Sequence, residues 1–94
     1  MSQNDHEQFA QQLSELRHGI DELDTQLIDI LAKRAELTSK VGEVKAKTGM
    51  PIYVPEREAQ MLEKRQEQAA ERGVSGSLIE DLMRRIMRES YHTQ

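Results

Sequence analysis

The sequence predicts an all-α chain of three helices, the first much longer than the others. Three observations predict it. Apolar residues at Leu13, Leu16, Ile20, Leu23, Leu27, Ile30, Leu37, Val41 and Val44 alternate three and four apart, the spacing of a single helical seam. Two shorter helical stretches follow, each bounded by glycine, proline or serine at positions that stop or start helices. Aromatics are limited to Phe9, Tyr53 and Tyr91, so the core must be aliphatic, and the five methionines suit irregular gaps between helices.

The first helix is read from Phe9 to about Lys47, with residues 1–8 as a frayed polar lead-in. At a rise of about 1.5 Å per residue it extends roughly 55–60 Å. Its seam is filled at every turn but one, where Arg34 stands. Gly19 and Gly42 lie inside it at some cost in propensity, and Gly42 is equally a tolerated glycine or a point of close approach. Thr48-Gly49 ends the helix, with Gly49 suited to the left-handed cap position. Residues 50–54 form a short extended linker between Pro51 and Pro55. Pro55, Glu56 and Glu58 favour the start of a second helix that runs to about Arg72, with Met61, Leu62 and Ala69 as its apolar side. Residues 73–77 make a turn. Ser75 or Ser77 caps the third helix, and Ser77 with Glu80 matches a capping box. The third apolar face is Ile79, Leu82, Met83, Ile86 and Met87, continued by Ser90 and Gln94.

The 94 residues amount to one small domain, 1–94. A helix of such length in so short a chain cannot bury its apolar stripe alone, so association with another chain is expected. The absence of cysteine excludes a disulfide framework and thiolate chemistry and fits a reducing compartment. No run is long enough to span a membrane, and the first eight residues lack the apolar core of a secretory signal. A net charge of −4, with no basic block interleaved with aromatics, argues against a nucleic-acid partner, although an acidic chain can still hold a positive pocket. His6, His18 and His92 are too dispersed for a metal cluster. No glycine-rich phosphate loop and no nucleophile with an assembled base is present. An enzyme built from this chain would use charges and hydrogen bonds, without metal or cofactor.

The candidate residues for that chemistry begin with Arg34. A guanidinium on an apolar seam needs an anion, either in an internal salt bridge or in a ligand. Lys45 lies eleven residues on, nearly three turns, and so on almost the same face, about 16 Å along the axis. It is also an ordinary helix-end lysine complementing the dipole. Arg17, beside the seam, is about 25 Å from Arg34 along the same axis, too far for one small ligand. If two copies pair antiparallel about a two-fold axis, Arg17 of one falls opposite the stretch between Arg34 and Lys45 of the other, making two shared sites. Arg57 and Glu58 open the second helix, and Ser90 and Gln94 end the third. Each has a bland surface explanation, and only their convergence suggests a site.

These residues resemble a known family. Leu16-Arg17, Ile20-Asp21 and Leu23-Asp24, then residues 31–37 (Leu-Ala-Lys-Arg-Ala-Glu-Leu) and 41–45 (Val-Gly-Glu-Val-Lys), look like the all-helical class of chorismate mutases. Residues 49–58 and the ending 85–91 are similar to the mutase domain of bifunctional chorismate mutase/prephenate dehydrogenases. The resemblance runs over about residues 13–94. It implies an intertwined six-helix homodimer in the cytoplasm that rearranges chorismate to prephenate on the route to tyrosine and phenylalanine, and a prephenate dehydrogenase domain following in a longer parent protein. Position by position, it implies that Arg17 reaches into the partner's site to hold one substrate carboxylate and Arg34 holds the other. Lys45 and Gln94 would hydrogen-bond the ether oxygen, and Arg57 would lend positive charge. Glu58 would accept from the substrate hydroxyl, Ser90 would assist at a carboxylate, and Val41 would line the apolar floor. Lys45, Gln94 and Arg34 are the catalytic candidates. One departure stands out: some members carry an acid where this chain has Val54, so Glu58 would hold the substrate hydroxyl alone and weaker affinity is expected. Two other functions remain in view: isochorismate-pyruvate lyase, which shares the fold, and a non-catalytic helical dimerisation module, which the seam alone would support.

Overall fold

The computed structural model describes residues 3–51 and 54–93, with side-chain environments given for 5–51 and 54–91. Among these residues there are three helices and no strand: α1, Gln3–Thr48; α2, Pro55–Glu71; and α3, Gly76–Thr93. The chain divides into two units, Met1–Arg34 and Ala35–Gln94.

The first unit is the leading part of α1. The helix starts at Gln3, earlier than the Phe9 expected from the seam. The seam marks only the apolar stripe, whereas Gln3, Glu7 and Gln8 tolerate a helix well and an acidic first-turn residue, Asp5, suits its start. None of the described side chains in this unit is buried. Its stripe is open to solvent, from 45% exposure at Leu27 to 66% at Leu16, with Leu23 at 62%. The stripe predicted to be buried is therefore bare in the single chain. Arg34, at the end of this unit, is half-buried.

The second unit holds the last turns of α1 and a helical hairpin. At the end of α1, Gly49 adopts φ 71° and the Met50 N–H donates to the Lys45 carbonyl at 3.2 Å, the long-range bond of a Schellman cap. The same cap closes α2: Gly73 has φ 71°, its N–H donates to Ala70 at 3.2 Å, and the Val74 N–H donates to Ala69 at 2.8 Å. Gly49 supplies the left-handed backbone expected of it, and Gly73, read only as part of the turn 73–77, does the same. Pro55 occupies the first turn of α2, and its N-cap, Val54, offers no side-chain cap. α3 is capped by Ser75, whose Oγ accepts from the Leu78 N–H at 3.3 Å while its carbonyl accepts from the Ile79 N–H at 3.1 Å. The capping box expected from Ser77 and Glu80 does not form. Ser77 lies inside the helix with its hydroxyl 3.0 Å from that of Ser75, and Glu80 is drawn elsewhere.

Glu80 joins the two helices of the hairpin. Its Oε1 accepts from Arg84 Nη2 at 3.0 Å and Nε at 3.2 Å, and its Oε2 accepts from Gln66 Nε2 at 3.4 Å across to α2. Towards the far end of the pair, the Tyr91 hydroxyl on α3 donates to Glu58 Oε2 on α2 at 3.3 Å. Partner numbers fall along α3 as they rise along α2, as an antiparallel pair joined by a short turn requires. Between these polar clasps lie the buried side chains Leu62 and Met87, and Ala69 is buried nearer the turn, all three drawn from the apolar faces read in the sequence. Met61, Ile79, Met83 and Ile86 are half-buried, and Leu82 is exposed at 38%.

Candidate active site

Two of the predicted site residues belong to the first unit. Arg17 is exposed and Arg34 half-buried on one continuous helix. Seventeen residues separate them, about 25 Å of helix axis, so they cannot grip one small ligand from within one chain.

The remaining described candidates belong to the second unit. Val41 and Lys45 are one turn apart on α1 and therefore share a face. Val41 is exposed at 45% and Lys45 is half-buried. Lys45 stands on the last turn, where its own carbonyl accepts from the Met50 N–H at 3.2 Å and from the Thr48 hydroxyl at 3.4 Å. The partial negative charge of that helix end favours a cation there. Arg57 and Glu58 follow Pro55 on the first turns of α2, Arg57 exposed and Glu58 half-buried. Gln94 lies outside the described residues.

The hairpin brings Glu58 and the end of α3 together. Glu58 and Tyr91 are linked by their 3.3 Å hydrogen bond, and half-buried Ser90 is the residue before Tyr91. Ser90 spends its hydroxyl proton on the Ile86 carbonyl at 3.0 Å. A hydroxyl carries one proton, so donating to a substrate carboxylate requires Ser90 to turn from Ile86. The rotation is inexpensive, because the helical pattern already gives that carbonyl a backbone partner. Tyr91 had no role in the sequence reading. It stands thirty-three residues from Glu58, and no local spacing couples residues so far apart. Among the described residues, no group of three His, Asp or Glu side chains is placed to hold a metal ion.

An all-helical chain that displays arginines and a lysine on its long helix, with a carboxylate and a hydroxyl at one end of its hairpin, defines a class. Such side chains suit a small organic anion held through charge and hydrogen bonds. The comparison with known proteins makes the class specific: the chain belongs to the chorismate mutase type II family, whose pattern matches residues 16–94. It is 55% identical over 83 residues to the T-protein of Enterobacter agglomerans, covering 88% of this chain and 22% of that protein. It is 54% identical over 83 residues to the T-protein of Haemophilus influenzae, with the same shares covered. It is 40% identical over 50 residues to the chorismate mutase of Methanocaldococcus jannaschii, covering 53% of this chain and 50% of that protein. The chain thus spans less than a quarter of the length of the two T-proteins it matches.

Proposed function

We propose that the chain is a chorismate mutase that rearranges chorismate to prephenate in a site shared between two copies. The observation that carries the reading is the family match over residues 16–94, a span that contains every candidate site residue from Arg17 to Gln94. The homodimer is supported by the bare apolar stripe of the first unit, which needs a cover of matching chemistry, and by the axial separation of Arg17 from Arg34. A second copy, run antiparallel, supplies both the cover and a nearby Arg17. A cytoplasmic setting belongs to the same reading and is supported by the lack of cysteine. So does a longer parent protein with a prephenate dehydrogenase domain after the mutase, supported by the T-proteins extending far beyond the matched stretch. No described helix is long and apolar enough to cross a membrane.

The chemistry follows from the residues. The rearrangement is unimolecular and pericyclic, so it needs neither a proton relay nor a covalent intermediate. The protein must hold a flexible dianion in a compact, chair-like conformer, and two arginines gripping two carboxylates do so. It must also stabilise the negative charge that grows on the ether oxygen as the C–O bond breaks. Lys45 and Gln94 are the donors assigned to that oxygen, and a preorganised donor of this kind is worth about 3–4 kcal/mol. Glu58 accepts from the ring hydroxyl, Ser90 turns to a carboxylate, Arg57 adds positive charge and Val41 presents apolar surface. The deciding experiment is incubation of the purified chain with chorismate while prephenate is followed. A rate equal to the buffer control refutes the proposal. Release of salicylate and pyruvate from isochorismate, without mutase activity, assigns the chain to the lyase instead.

A further inference from the structure

We infer that Tyr91 is a positioning residue for Glu58, and that through it the end of α3 sets how strongly the enzyme recognises the ring hydroxyl of its substrate. The inference rests on the mutase reading and deepens it. Its basis is the 3.3 Å hydrogen bond from the Tyr91 hydroxyl to Glu58 Oε2. Both residues are half-buried and both belong to the α2–α3 hairpin. The preceding cap gives Glu58 no acidic neighbour. Val54 is aliphatic and makes no side-chain cap bond; of the two first-turn carboxylates Glu56 is exposed, and Glu58 is the half-buried one joined to α3.

A glutamate on the first turns of a helix has three side-chain torsions, and ordering it costs rotamer entropy when substrate binds. A phenol that donates to one carboxylate oxygen meets part of that cost in advance. An ionised carboxylate has about four acceptor positions, so a single phenol leaves room for a substrate hydroxyl. Tyr91 also ties the carboxylate to the helix that carries Ser90, so two groups assigned to the substrate are set by the same helix end. The ring hydroxyl of chorismate sits on the carbon next to the one whose C–O bond breaks, but its own bonds neither form nor break. Contacts to it therefore act chiefly on binding, and losing one raises KM more than it lowers kcat.

The test compares wild type, Tyr91→Phe, Glu58→Gln and the double variant on two substrates, chorismate and its analogue lacking the ring hydroxyl, with thermal unfolding measured on each protein. Tyr91→Phe keeps the ring and its packing and removes only the hydroxyl. The expected result is a rise in KM for chorismate of about three- to tenfold with kcat within twofold of wild type, matching the loss of one hydrogen bond. The effect disappears with the deoxy analogue and in the Glu58→Gln background. Equal losses on both substrates, additive losses in the double variant, or unchanged KM for chorismate overturn the inference while leaving the mutase reading intact. Absence of chorismate turnover by the wild-type chain overturns both. A purely structural tyrosine would lower the unfolding temperature and affect both substrates alike.

Discussion

Replacing Leu23 and Leu27 together with alanine removes two neighbouring side chains from the bare stripe of α1 at little cost to the helix itself, because alanine is the better helix former. In the single chain these leucines are 62% and 45% exposed, so about half of each awaits burial. Fully burying a leucine contributes roughly 1.5–3 kcal/mol, and half of that is about 1 kcal/mol per side chain. A two-fold dimer contains each position twice, so the double substitution removes about 4 kcal/mol of association energy and raises the dimer dissociation constant about 10³-fold. Voids left at the interface add to this loss.

Sedimentation equilibrium across a concentration series, with turnover measured at the same concentrations, is the appropriate assay. The wild-type chain is expected to sediment as a dimer, and the double variant to become monomeric and inactive over a range where the wild type is neither. Specific activity of the variant should recover as protein concentration rises. A variant that associates as tightly as wild type, or a wild-type chain that turns over chorismate as a monomer, refutes the reasoning from the exposed stripe to the shared site.

Arg34→Leu should lower turnover at least 10²-fold while leaving the dimer folded, because the seam gains a leucine where a cation was; retained activity assigns Arg34 a structural role instead. Arg17→Ala and Lys45→Ala chains, each inactive alone, should recover about a quarter of wild-type activity when mixed equally, since half of the dimers are mixed and each has one intact site; no recovery after confirmed subunit exchange overturns the shared-site geometry. Met87→Ala removes a core side chain of the hairpin that is only 4% exposed. It should destabilise the fold by about 2–5 kcal/mol in urea unfolding, and a loss under 1 kcal/mol would show that this core is not as packed as its burial implies.

What the sequence made legible depends on how local each signal is. Gly49 was readable as a left-handed helix stop because such a cap is decided within a few residues; Gly73 was read only as part of a turn, and it too has φ 71°. The N-terminal cap of α3 was readable only to within two serines. Ser75 and Ser77 both satisfy the composition of a cap, and the choice fell to Ser75 because the helix begins at Gly76. Glu80, which the capping-box pattern assigned to Ser77, is claimed by Arg84 one turn away and by Gln66 on the neighbouring helix. Arg34 was visible because it breaks a period, and Tyr91 was not, because its partner is thirty-three residues away and belongs to another helix.

The same distinction explains why the site is hardest to read where it matters most. A stripe of leucines announces that something must cover it, but its exposure in one chain says nothing in sequence terms about what the cover brings. The dimer proposed above would answer that question through α1. The long helix leaves Arg17 some 25 Å along its axis from Arg34, and a second antiparallel copy would cover the stripe and supply a nearby Arg17 at once. In that dimer the length of α1 would be a requirement of the chemistry: a helix shorter by a few turns would lose the cover of its stripe where two chains overlap, and Arg17 would no longer reach an anion held by the partner's Arg34.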